Sequence, residues 1–164
     1  MTTPTTNASS EGTASLSEQR AAGYIDPRGM RFAATITTVV LAVILVTSSG
    51  WLAVAQAVVF AIGAFAGIRR APYGLIYRAL VQPRLAKPTE LEHPAPPQFA
   101  QLVGFMFAAV GAIGYLSGVT LLGTIMIAMA LAAAFLNAAF SFCLGCELYL
   151  LFRRSSLSPT VQPR

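Results

Sequence analysis

Two long stretches of this chain carry no charged residue: Phe32 to Ile68 and Phe99 to Cys146. A helix needs about 20 apolar residues to cross the hydrocarbon core of a bilayer, so each stretch is long enough for two crossings. Each also has a turn signal near its middle. These are Thr47-Ser48-Ser49-Gly50 in the first, and Gly114 to Gly118, around Tyr115 and Ser117, in the second. The expected fold is an all-α membrane protein with four transmembrane helices as two hairpins, over about residues 32–49, 51–68, 99–117 and 120–143. Composition agrees. Charged residues are 10% of the chain and mean hydropathy is +0.66, against about 25% charged in soluble domains.

The arginines set the orientation. Neither outer turn carries Lys or Arg. Arg28 and Arg31 precede the first span, Arg69 and Arg70 follow the second, and Arg153 and Arg154 follow the fourth. Arg78, Arg84 and Lys87 lie in the central loop, residues 69–98. The positive-inside rule places both termini and this loop in the cytoplasm, in a multi-pass protein of the cell membrane. Trp51 and Tyr115 fall beside the outer turns, where interfacial aromatics belong. The net charge of +5 then reports basic flanks against anionic headgroups of the lipid bilayer and calls for no nucleic acid. Arg28, Arg31 and Ala53-Val54-Ala55 resemble parts of a signal peptide, but the apolar run continues to Ile68, which favours a retained hairpin. Residues 1–22, rich in Thr, Ser and Ala, read as a disordered cytoplasmic tail before the membrane domain at 23–154, and 155–164 as a second tail.

Within the central loop, Tyr73 to Arg78 alternates bulky apolar and polar groups, as an interfacial segment would. Pro83, Pro88, Pro94, Pro96 and Pro97 then favour an extended path. His93, near Glu90 and Glu92, reads as an exposed loop histidine because no partner with ligand spacing accompanies it. A short repeat is also present. Arg31-Phe32-Ala33 and Gln98-Phe99-Ala100 each open a hairpin, and Leu75-Ile76-Tyr77-Arg78 and Leu150-Leu151-Phe152-Arg153 each follow one. Two units in one orientation would make a parallel-repeat membrane fold.

The spans hold few polar groups. Gln56 and Asn137 read as interhelical hydrogen-bonding residues, and Asn137 with Ser141 alternatively as a polar pocket leading to the cysteines. No span has a titratable group at its centre, which argues against a proton-coupled pump. Gly63 with Gly67, and Gly114 with Gly118, have the small-x-x-x-small spacing that lets helices approach within one chain or across a homodimer.

Cys143 and Cys146 are the only cysteines, three apart, where the last apolar stretch meets charge. Three apart on a helix is one face, so the sulfurs can meet each other or one partner. That suits a dithiol–disulfide couple, a sulfur carrier or half of a soft-metal site. The alternative is that they fill lipid-compatible space. A position at a helix C-terminus would disfavour a thiolate. Arg153 and Arg154, following closely, and a helix break at Gly145 would favour one. Glu147, four after Cys143, would take the thiol proton, or else pair with a nearby arginine. Leu121 to Phe152 is too long for one straight span, so a bend is expected.

At these residues the chain resembles an uncharacterised bacterial membrane family, common in actinobacteria, known as domain of unknown function 4395. The matching pieces are Asp26-Pro27-Arg28-Gly29, Arg31-Phe32, Pro72-Tyr73-Gly74, Pro83-Arg84, Pro96 to Gln101 and Phe142 to Tyr149. The resemblance implies no assigned activity and no cofactor. It implies sulfur or thiol traffic with a thioredoxin-like or rhodanese-like cytoplasmic protein. The leading expectation is a thiol-redox or sulfur-relay accessory using Cys143, Cys146 and Glu147. The alternatives are a non-enzymatic scaffold or assembly factor and, behind it, a small-solute permease.

Overall fold

The computed structural model describes residues 23–86, 88 and 91–156, together with residue 18. Apart from residue 18, the expectation for the tail at 1–22 lies outside them, as does that for 157–164. The described chain is helical except for turns and one isolated antiparallel bridge between Ile25 and Glu92. Helix α1 (Pro27–Thr47) and helix α2 (Gly50–Phe65) are joined by a tight turn. A 3-10 turn (Ile68–Arg70) leads into α3 (Pro72–Ile76), which continues through a π-helical turn (Tyr77–Val81) and a 3-10 turn (Gln82–Arg84). Then come α4 (Ala95–Leu116), α5 (Thr120–Phe140) and α6 (Leu144–Ser156).

Local chemistry explains most of these ends. The Asp26 side chain accepts from the Arg28 N–H at 2.9 Å and Pro27 follows it, so α1 opens with a cap and a proline at its first position. Ser48 takes the left-handed conformation (φ 50°) and Ser49 caps α2, which makes the turn expected there. The second span was expected to reach residue 68; α2 stops at Phe65 because Gly67, at φ 94°, leaves helical space. The fourth was expected to reach 143; α5 stops at Phe140, with Ser141 at φ 57°. The central loop was expected from 69 and turns out helical over much of its first half. Pro96 and Pro97, expected to hold an extended path, lie in the first turn of α4, where a missing N–H leaves nothing unpaired.

Helices α1, α4 and α5 are long and apolar enough to cross a membrane by length and composition; α2, at 16 residues, is shorter. Large apolar side chains point outward. Val46 is 87% exposed, Trp51 76%, Leu121 73% and Phe140 72%. A soluble monomer rarely shows so much apolar surface, whereas a lipid-facing one must. The chain is a membrane protein.

The core is made where α1, α2, α4 and α5 meet, from Leu41, Ile44, Phe60 and Ile127 with alanines between them. Small residues bring α4 and α5 together. A Cβ added at Gly114 would sit 2.6 Å from the Gly123 nitrogen, and one at Gly111 2.9 Å from the Ile127 side chain. Gly63 is covered by Gln101 of α4. These two positions of the glycine pairs therefore serve packing within the chain. Their partners Gly67 and Gly118, both at positive φ, form turns instead.

The helices do not pack as two separate hairpins. The most extensive contact is α2 against α4, followed by α4 against α5 and α1 against α5, while α1 and α2 touch little. The short repeat acquires a meaning here. Phe32 near the start of α1 packs on Tyr77 at 5.7 Å, and Phe99 near the start of α4 packs on Phe152 at 6.5 Å. The same motif positions meet in both halves. Each half is a long helix, a second helix and a short helix folded back on the first. Each first helix also packs against the second helix of the other half.

Candidate functional site

The cysteines stand where the chain restarts after α5. Ser141 N–H donates to the Asn137 carbonyl at 3.1 Å and Phe142 N–H to the Leu136 carbonyl, a left-handed cap that ends the helix. The chain then starts a new helix at Leu144. Cys143 is its cap: its carbonyl accepts from the Glu147 N–H at 3.0 Å and its Sγ from the Cys146 N–H at 3.3 Å. Cys143 and Cys146 are joined as a disulfide, with Cα atoms 5.1 Å apart, within the range that bond requires.

This corrects the expected placement. The two cysteines do not share a face near a helix C-terminus; they straddle a helix N-terminus. The electrostatic sign is reversed, because the N-terminal end carries the positive pole of the helix and unpaired N–H donors. A sulfur that receives such an N–H is favoured as a thiolate when the bond is reduced. The expected help from Arg153 and Arg154 is not there. They lie in the last turn of α6, roughly 10 Å along the helix from Cys146 at 1.5 Å per residue.

Gly145 was expected to break a helix. It lies instead in the first turn of α6, pressed on α4, where a Cβ would come 2.6 Å from Cα and Cβ of Ala100. Phe99 of α4 also packs on Tyr149 at 5.9 Å. Lacking a side chain at 145, α6 can lie close on α4 and carry the disulfide with it. Both cysteines are half-buried, among exposed Phe140, Phe142 and Leu144. Glu147 is exposed in the first turn, where a carboxylate suits the helix pole, and its recorded contact to Cys143 is through the backbone. Asn137 and Ser141 do not line one face toward the cysteines, because Ser141 has left the helix.

Elsewhere, His93 is exposed, packs edge-on to Tyr24 at 5.5 Å and accepts the Ala95 N–H on Nδ1. Glu90 lies outside the described residues, and among those described no three His, Cys, Asp or Glu side chains gather as a metal site. Gln56 bridges helices as expected, although its partner is on the short α3 and not on another span. It is 1% exposed, and its Oε1 accepts from the Tyr73 hydroxyl at 2.7 Å. Tyr77, on the π-helical turn, donates to Asp26 Oδ2 at 3.2 Å. Burial first, then the Asp26 carboxylate, raises the Tyr77 pKa, so it remains a donor. Residues of the central segment thus tie α1 to α2 at the end where those helices barely meet. Neither tyrosine stood out as a site residue in the sequence, because nothing local in the central segment shows that it folds back onto the helices.

The family described as "Domain of unknown function (DUF4395)" matches residues 25–154. The chain belongs to that family. The match runs from just before α1 to within two residues of the end of α6, so the disulfide, Gly145 and the tyrosines all lie inside the DUF4395 domain. No curated protein and no solved structure matches the chain.

Proposed function

We propose that this DUF4395 protein is an integral membrane thiol-redox or sulfur-relay accessory whose working group is the Cys143–Cys146 pair, with Cys143 as the nucleophile. The observation that carries the reading is the Cys146 N–H aimed at Cys143 Sγ at the start of α6. In this reading four helices cross the bilayer in two pairs, with both termini and α6 on the cytoplasmic side, as the arginine flanks favour. Helix α2 is about 24 Å long at 1.5 Å per residue, short of a core about 30 Å thick. The turn through Arg70 carries the chain the remaining distance to the interface. A cytoplasmic disulfide is more often transient and catalytic than structural.

The exchange balances without a cofactor. A partner thiolate attacks Cys143 Sγ, the Cys143–Cys146 bond breaks, and Cys146 leaves as a thiolate. The partner's second thiolate attacks the mixed disulfide and releases Cys143, so the partner dithiol is oxidised by two electrons and this pair is reduced. In sulfur relay, the Cys143 thiolate takes the terminal sulfur of a partner persulfide, and the partner thiolate departs. A thioredoxin-like or rhodanese-like protein has the required chemistry.

In the reduced protein at pH 7, iodoacetamide should modify Cys143 faster than Cys146. The N–H that the Cys143 sulfur receives favours its thiolate, and the accompanying loss of basicity offsets only part of that gain. The net advantage expected is a few-fold. Peptide-resolved mass spectrometry over a time course measures it, and equal rates or a faster Cys146 would contradict the assignment.

A further inference from the structure

A second site lies on the other half of the molecule. A cavity of 280 Å³ opens between the start of α1, the end of α2 and the segment running from the first 3-10 turn to Gln82, with Gln101 of α4 on its wall. Its apolar lining includes Met30, Ala33, Val59 and Ile68, and its cations are Arg69 and Arg78. Among the described residues Asp26 is the one carboxylate on the lining. Both of its oxygens are engaged, one by the Arg28 N–H and one by the Tyr77 hydroxyl. The Arg78 guanidinium donates to the Arg69 and Gly74 carbonyls, through Nη2 and Nε, and among the described residues Nη1 has no partner. A guanidinium held in place by backbone carbonyls is ready to meet an anion without further ordering.

Two further observations mark this place. The wall contains the π-helical turn Tyr77–Val81, a rare conformation that recurs at functional sites. Behind Tyr73, the Gln56 Nε2 group is buried without a hydrogen-bond partner; such orphaned donors are uncommon and call for a reason. The cavity is slightly below the roughly 300 Å³ at which ligand pockets begin, so it suits a small charged group rather than an acyl chain. Its place in the repeat is also informative. Ile68-Arg69-Arg70-Ala71 leads from α2 into α3, and Cys143 with the first turn of α6, Leu144-Gly145-Cys146, stands at the matching passage from α5 into α6. One half carries sulfur at that junction and the other carries arginine.

We propose that this cavity binds a tetrahedral oxyanion of the sulfate or phosphate type, held by Arg69, Arg78 and Gln101. The ion comes either as a free solute or as the phosphate of an anionic lipid headgroup. Site and ligand are independent of the thiol chemistry, so a Cys143→Ala/Cys146→Ala protein should retain them.

The test uses the full chain in nanodiscs and reads the unfolding midpoint. One arm titrates sodium sulfate against sodium chloride of equal ionic strength in phosphatidylcholine discs. The other replaces part of the phosphatidylcholine by phosphatidylglycerol in low salt. Each arm is repeated with Arg69→Gln, whose side chain is exposed, and with Gln101→Glu, which places a carboxylate on the cavity wall. A saturable rise with sulfate, at least tenfold weaker in apparent affinity in both variants, supports the site with a free anion. A rise with phosphatidylglycerol alone, lost in both variants, supports it with a lipid headgroup. No rise in either arm, or a rise that both variants keep in full, overturns the proposal.

Discussion

A Cys146→Ala variant is expected to hold an oxidised, disulfide-bearing partner in a covalent complex that reductant releases, while a Cys143→Ala variant holds little or none. The asymmetry follows from where α6 begins. Cys143 caps the helix and its sulfur receives the Cys146 N–H, so it is the better thiolate at neutral pH. It is also the better leaving group when a mixed disulfide is resolved. The Cys143 thiolate attacks the disulfide of an oxidised partner and one partner thiolate leaves; without Cys146 only that thiolate, reversing the step, can break the mixed disulfide, and the intermediate accumulates. Without Cys143, the remaining sulfur lies in the first turn of the helix and lacks the capping position. Non-reducing electrophoresis after rapid acid quench, followed by mass spectrometry of the shifted band, gives the readout. Equal capture by both variants would remove the assigned polarity. Capture by Cys143→Ala alone would reverse it.

Gly114→Val should be among the most destabilising single substitutions in the membrane domain. The added Cβ would come 2.6 Å from the Gly123 nitrogen and 3.0 Å from its Cα, both backbone atoms that no rotamer change can move. The Tyr115 ring, next to Gly114 on α4, also lies against Gly123, where a Cβ would be 2.6 Å from Cδ1, so the crossing is close on both helices. Helices α4 and α5 must therefore separate. Overpacking of this kind typically costs about 1–3 kcal/mol. Without a hydrophobic drive between helices in lipid, close backbone approach is a main source of their association. Gly74→Ala is the control, since its Cβ would meet only the Ile68 carbonyl oxygen, at an ordinary 3.7 Å. Unfolding midpoints in the same detergent should fall sharply for Gly114→Val and hardly at all for Gly74→Ala. Similar midpoints for the two would mean that α4 and α5 are not held by this crossing.

The helices were legible because charge and hydropathy act along the chain. The uncharged stretches gave the helical segments, Ser48 and Ser49 the first turn, and the length from Leu121 to Phe152 the need for a bend. The position of that bend was not legible. It depends on Ser141 adopting a left-handed conformation, an option that serine takes only when the next segment gains by packing elsewhere. Here α6 gains by laying Gly145 on Ala100 and Tyr149 and Phe152 on Phe99. A shift of the break by a few residues from the expected end of the span changed the electrostatics of the cysteines from the negative pole of one helix to the positive pole of the next. That the sulfurs could meet was visible in the spacing; their polarity was not.

The cavity was harder still to read. Arg69 and Arg78 appeared in the sequence only as topological markers, and Tyr73 and Tyr77 as interfacial aromatics. Their convergence depends on the central segment folding back between α1 and α2, and a local pattern does not record which distant helix a short segment will meet. The matched pairs Phe32–Tyr77 and Phe99–Phe152 were the one available signal, since a repeat whose second short helix packs on its first long helix implies the same for the first. The four-residue similarity carried that information without stating it.

The most direct test of the thiol-relay reading is the redox state of Cys143 and Cys146 in intact cells, followed through an oxidant pulse. Acid quenching, differential alkylation and mass spectrometry of the peptide that holds both residues would separate dithiol, disulfide and persulfide. A relay requires the pair to move between two of these states during the pulse and to return afterwards, with the protein remaining in the membrane throughout. A pair locked in one unmodified state before, during and after the pulse would contradict it.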